Sequence, residues 1–225
     1  MVRTDLARAA EASGRHPNEV TLVAVTKGHP VAAIEAARSH GLRAMGENRV
    51  AELAGKVAQL GRTDLEWHMI GHVQSRKVGD LLAIVDVVHS IDSLRLGQRF
   101  DRLAQSGGAR PAVLIQVNVS GEAAKGGLEG AEALDQILEL AALPALDVQG
   151  LMTMAPFVED EVILRKTFSD VRRLAESARR QDPSIGGHLS MGMSNDLRFA
   201  VEEGSTMVRI GTALFGPRPG VAREV

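Results

Sequence analysis

Cysteine is absent from this 225-residue chain, and so is tyrosine. The first absence excludes disulfides, thiolate metal sites and a cysteine nucleophile. The second removes one of the side chains that enzymes use as a positioned acid or base. Aromatic residues amount to only 3%, too few to stack on a run of bases. Neither sign of charge is in excess: the net charge of −2 argues against nucleic acid or an anionic membrane as partner. No apolar run approaches the roughly 20 residues that a membrane span needs. The leading stretch, MVRTDLARAAEASGR, has no apolar core of a secretory signal. A cytoplasmic protein is the default expectation.

What is present suits an ordinary globular fold. Hydrophobic residues make up 44% and charged residues 24%, enough apolar material for a sizeable core. The length fits a single α/β barrel domain over residues 1–225. Short β-branched or apolar runs alternate with longer segments of helical period, the pattern of βα units on a parallel sheet. Eight strands are predicted, at 21–26, 43–46, 66–71, 87–91, 112–119, 148–154, 188–191 and 207–211. Helices are predicted between them. One spans 30–40, with Pro30 in its first turn. Another spans 130–143, with Leu134, Ile137, Leu138 and Ala141 on one face. A long one spans 158–180, with Val162, Phe168, Val171 and Leu174 as its apolar stripe. Eight alternating units fit a closed (β/α)8 TIM-type barrel better than an open doubly wound sheet, although sequence alone leaves closure open. In such a barrel the loops after the C-terminal strand ends build the functional face.

Those strand ends are polar. The first strand, TLVAVT, runs directly into Lys27. There an ammonium is poorly solvated, which favours the neutral amine that attacks an aldehyde. The competing reading is a lysine that snorkels to solvent. The last strand ends Arg209-Ile210-Gly211-Thr212; glycine lets backbone approach an anion closely. The unit before it ends Ser190-Met191-Gly192-Met193-Ser194-Asn195-Asp196, a small polar turn that opens a helix at 196–203, whose first N–H groups suit a phosphate. Barrels often form a phosphate site from the loops after strands seven and eight, yet Ser-Asn-Asp is also an ordinary helix cap. Asn48, in Gly46-Glu47-Asn48-Arg49, is read either as a ligand for a phenolic oxygen or as the cap of the next helix. His68 and His72 are four residues apart but on a strand end without a third ligand, so no metal is expected. Glu122 and Lys125 fall in a glycine-containing loop and are read as solvated rather than catalytic.

Further stretches carry a resemblance. AVTK ending at Lys27, then GENRV, WHMIGHVQSRK, VNVSGEAAKGG, GLMTM, LSMGMSND and GSTMVRIGTALFG follow one another over residues 21 to 216. In that order they closely resemble the pyridoxal phosphate homeostasis protein family, which is similar in fold to the N-terminal barrel of alanine racemase. The resemblance implies a pyridoxal 5′-phosphate carrier or buffer with Lys27 forming the internal aldimine. It implies that Arg209 faces the pyridine nitrogen, that Ser194, Gly211 and Thr212 hold the phosphate, and that Asn48 lies near the ring hydroxyl. A guanidinium stays protonated, so the ring nitrogen opposite it stays unprotonated, and the cofactor is a weaker electron sink. The segment before the first strand is short for this family, so an initial helix is expected to be clipped or absent. His72 stands where many relatives carry proline.

Racemisation needs an acid–base group on each face of the substrate carbanion. In the racemase the group opposite the lysine is a tyrosine from a second domain of the partner subunit, and this chain contains neither. The expectation is therefore a non-catalytic, monomeric cofactor-binding protein whose partners are pyridoxal phosphate and recipient apoenzymes. The alternatives are a pyridoxal phosphate enzyme that uses His68 or Lys125 as second base, and a barrel enzyme forming a lysine Schiff base with a sugar phosphate.

Overall fold

The structure is a computed structural model that describes residues 1–120 and 126–218. Eight parallel strands close into a barrel in sequence order, β1 pairing with β8 as well as with β2. They are β1 (Thr21–Val25), β2 (Ala44–Glu47), β3 (Glu66–Met69), β4 (Val87–Ile91), β5 (Ala112–Gln116), β6 (Asp147–Met152), β7 (His188–Ser190) and β8 (Met207–Ile210). All eight expected strands are there, and closure is settled by the β1–β8 register, Thr21 opposite Met207 and Ala24 opposite Ile210. Several strands end earlier than their composition suggests. Beyond Gln116, Val117 N–H still donates to the Met152 carbonyl of β6 at 2.9 Å, but a returning loop takes over next: Asn118 N–H donates to the Leu128 carbonyl and Leu128 N–H to that of Gln116, both at 2.8 Å.

Helices connect the strands on the outside. They are α1 (Val2–Ala12), α2 (Val31–Ser39), α3 (Val50–Leu60), α4 (Val78–Leu82), α5 (Leu94–Gly107), α6 (Ala133–Ala141), α7 (Glu161–Gln181), α8 (Leu197–Glu202) and α9 (Thr212–Phe215). The largest core lies between sheet and helices and is anchored by the fully buried Trp67, Phe100 and Phe168. A small separate cluster of Leu114, Met152 and Met207, from strands β5, β6 and β8, fills part of the barrel interior.

Two expectations need correction. The initial helix is present: α1 places Leu6, Ala9 and Ala10 against Leu197 and Val201 of α8. Arg15 then secures it by donating to the carbonyls of Val201 at 3.3 Å and Ser205 at 2.8 Å. On α7, Val162 does not belong to the apolar stripe; it is 76% exposed, while Leu164, Phe168 and Val171 are buried. The helix starts at Glu161, capped by Asp160, whose carboxylate accepts from the N–H groups of Val162 and Ile163. Val162 sits in that first turn, where its side chain faces outward from the stripe.

Candidate functional site

The C-terminal strand ends surround a cavity of about 470 Å³, within the roughly 300–1,000 Å³ usual for small-molecule sites. Lys27, Asn48, Ser194, Arg209, Gly211 and Thr212 all line it. The six sequence-selected residues come from the ends of four strands, β1, β2, β7 and β8, and the barrel brings them to one place. Its remaining wall is largely apolar, with Val25, Ile70, Met154 and Phe157 among the lining. Of these, Phe157 is 87% exposed, so it stands at the rim.

Lys27 is carried by the turn that follows β1. Gly28 makes that turn possible with φ of +72°, a left-handed conformation that glycine adopts without penalty. Its N–H donates to Glu52 Oε1 at 2.6 Å, which ties the turn to α3. The Lys27 amine has no hydrogen bond or ion pair to any described residue. Burial lowers its pKa, and the nearby guanidinium groups of Arg218 and Arg209 lower it further against the opposing pull of Glu47 and Glu52. The result is an unpartnered amine poised toward its neutral form.

The carboxylate beside it is otherwise engaged. Glu47 is fully buried and takes hydrogen bonds through Oε1 from Thr26 at 2.5 Å and Lys56 at 2.6 Å. Lys56 also reaches Glu52 Oε1 and the Thr26 carbonyl, each at 2.8 Å. Burial pushes the Glu47 carboxyl up despite these bonds. The Lys56 contact therefore occupies the charge that would otherwise hold Lys27 as an ammonium. Sequence reading missed Lys56; the signal was its i, i+4 spacing from Glu52 on α3.

Asn48 does not cap α3. The cap position is Arg49, without a side-chain bond, and Asn48 faces the cavity instead. Gly71 explains the placement, because a Cβ there would come within 2.3 Å of the Asn48 carbonyl; only glycine allows the ends of β2 and β3 to approach so closely. Likewise the Ser194-Asn195-Asp196 turn is more than a cap. Asp196 Oδ1 accepts from the Met193 N–H at 2.5 Å, which folds the loop so that Ser194 and Asn195 face the cavity. The side chains of Asn48, Ser194 and Thr212 make no hydrogen bond to any described residue. Asn48 is half-buried, while Ser194 and Thr212 are exposed at the cavity's mouth, so all three are open to a ligand.

Arg209 differs from all of these. It is buried, donating from Nη1 to Ser190 Oγ at 2.6 Å and from Nη2 to the Thr153 carbonyl at 2.8 Å. Burial pushes it down to about 10, so it still carries its charge at neutral pH. Thr153 escaped the sequence reading, and Ser190 was read only as the start of a polar turn, because a lone serine or threonine on a strand has no pattern that marks it as a partner of Arg209. His68 is buried and does not line the cavity, and His72 is exposed and bonds Asp92 at 2.8 Å. Among the described residues no cluster suited to a metal occurs, and no helix is long and apolar enough to cross a membrane. Glu122 and Lys125 lie outside the described residues.

Comparisons with known proteins show what the chain is similar to. The sequence profile of the alanine racemase N-terminal domain matches residues 5–219. The pyridoxal phosphate homeostasis protein of Aquifex aeolicus is 41% identical, the match covering 94% of this chain and 92% of that protein. Its namesake from Escherichia coli K12 is also 41% identical, over 96% and 94%. PipY of Synechococcus elongatus, solved with pyridoxal phosphate bound, superposes with a TM-score of 0.84 at 37% identity, covering 94% of this chain and all of that one. Alanine racemase from Clostridium difficile shares the fold at a TM-score of 0.76, with 19% identity and 56% of its length matched.

Proposed function

The chain belongs to the pyridoxal phosphate homeostasis protein family, and from that premise we propose that it binds pyridoxal 5′-phosphate on Lys27 and passes it to apoenzymes. One observation carries the reading: an unpartnered amine of lowered pKa shares a single cavity with a fixed guanidinium and several unpartnered polar side chains. The cofactor supplies an aldehyde that an amine attacks reversibly, with loss of water.

This chain's residues divide the remaining work. Lys27 provides the nucleophile. Arg209, immobilised by Ser190 and Thr153, presents a permanent donor to the pyridine nitrogen and so keeps that nitrogen unprotonated. Ser194 and Thr212 offer hydroxyls to the phosphate, and Gly211 lets backbone come near it. Asn48 faces the ring hydroxyl. Transfer, rather than catalysis, is the reading favoured by the relatives of 41% identity, which are named for homeostasis of the cofactor. In this reading the protein is a monomer that works in the cytoplasm.

Two measurements test the reading. The loaded protein, mixed with an apoenzyme, should restore activity at a rate set by protein–protein encounter, while an excess of a phosphatase that destroys free cofactor should leave most of that transfer intact. Complete suppression by the phosphatase would reduce the protein to a passive binder. The second concerns pH. A lowered pKa means that the neutral amine is populated at lower pH than in an ordinary lysine, so the rate of adduct formation should rise and level off below pH 10.5. A rate still rising through that value would mean that Lys27 is not activated.

A further inference from the structure

Beneath the cavity, the barrel interior holds a line of polar side chains where such barrels usually pack branched apolar residues. His68 of β3, His89 of β4 and Ser190 of β7 are all fully buried. Below Arg209 the contacts run without a gap: Ser190 Oγ lies 2.8 Å from His89 Nδ1, and His89 Nε2 lies 2.8 Å from His68 Nδ1. His68 Nε2 lies 3.1 Å from Glu66 Oε2, near enough to interact but bent away from good hydrogen-bond geometry. Glu66 is half exposed at the N-terminal end of the barrel. The line thus joins the floor of the site to the opposite end of the molecule.

The two ends fix its direction. A guanidinium only donates and a carboxylate only accepts. Ser190 accepts from Arg209, so its own proton is available to His89 Nδ1. His89 must then carry its proton on Nε2 and donate to His68 Nδ1. His68 in turn carries its proton on Nε2, facing Glu66. The reverse sense fails at both ends: Ser190 would receive two donors with no acceptor for its own proton, and a His68 lone pair would confront a carboxylate.

We propose that Ser190, His89 and His68 form a one-way hydrogen-bond relay that starts at Arg209 and ends at His68, with the Glu66 carboxylate beside its last ring fixing the sense, and with both imidazoles neutral and protonated on Nε2. Glu66, His68 and His89 are then positioning residues for Arg209: they orient the Ser190 lone pair that receives the guanidinium. The other charged or titratable groups near the two rings are His188, which bonds Thr206 Oγ1 at 3.2 Å, and Arg209 itself. A cation on either ring would be buried beside the Arg209 charge, and burial above all, with the Arg209 charge, holds His89 well below the usual histidine range. The relay's consequence for a bound pyridine ring rests on the function proposed above, but the relay itself does not.

Nitrogen-15 NMR of the imidazoles in the full-length, cofactor-free protein tests it directly, with His68→Gln and His89→Gln used only to assign the signals. Both rings should show an unprotonated Nδ1 and a protonated Nε2 at neutral pH. A protonated Nδ1 or an imidazolium at either position would overturn the proposal. Removing the terminal acceptor with Glu66→Ala, at a half-exposed position, should mix the tautomers of both rings together, and Glu66→Gln, which keeps an acceptor, should restore the single form. Tautomers unmoved by Glu66→Ala would show that the line is packing rather than a relay. Because no cofactor is present, failure here is distinct from failure to trap an adduct on Lys27.

Discussion

Lys27→Ala is expected to leave the protein folded, with no covalent adduct and with affinity for pyridoxal phosphate reduced at least about a hundredfold, or about 2.7 kcal/mol. The fold should tolerate the change because the amine has no hydrogen bond or ion pair to lose among the described residues and the side chain is only partly buried. Surface-like truncations of this kind usually move stability by less than about 0.5 kcal/mol. Binding should weaken without vanishing, since Asn48, Ser194, Arg209 and Thr212 are untouched and still line the cavity. Equilibrium dialysis measures the residual affinity. Unchanged affinity would mean that the covalent bond contributes nothing to retention, and the carrier reading would fail with it.

Arg209→Glu should have two effects of different origin. The first is on the fold. The guanidinium donates to Ser190 Oγ and to the Thr153 carbonyl from a position only 5% exposed. A carboxylate there meets the carbonyl as one acceptor facing another and lacks any fixed cation. The cost should be about 3–5 kcal/mol, as for breaking a buried charged contact, which lowers Tm by roughly 6–20 °C in a chain of this size. The second effect is spectroscopic. A carboxylate stabilises a protonated pyridine nitrogen, so the absorbance of bound cofactor should titrate at higher pH than in the parent. A spectrum with unchanged pH dependence would contradict the assigned contact. Arg209→Gln keeps a donor amide and should be milder in both respects, so the second effect stays measurable if the glutamate variant unfolds.

Much of the barrel was legible because it rests on simple periodicities. All eight strands announce themselves as short β-branched or apolar runs, and the long helix α7 by Phe168, Val171 and Leu174 at helical spacing. What the periodicity misplaced were ends. Val162 reads as part of the stripe but falls in the first turn of α7, before the helix has turned its apolar face to the sheet. Asn118 reads as strand but donates to the loop residue Leu128. At the site, the residues visible in sequence were those that end a strand or sit beside a glycine: Lys27, Asn48, Ser194, Gly211 and Thr212. Their supports were not. Lys56, Thr153, Ser190 and His89 act through contacts between distant parts of the chain, and a single polar residue within an apolar strand gives no hint of which partner the barrel will set before it. His68 was visible, but as a candidate base; the fold buries it in contact with His89 instead.

The chain's five lysines, at 27, 56, 77, 125 and 166, make the decisive measurement simple. Purified protein would be saturated with pyridoxal phosphate, reduced with borohydride and digested, and the adduct located by mass. The account predicts a single modified residue, Lys27, together with an imine absorbance band that disappears on reduction. An adduct mapped to another lysine, or none under saturating cofactor, would contradict it.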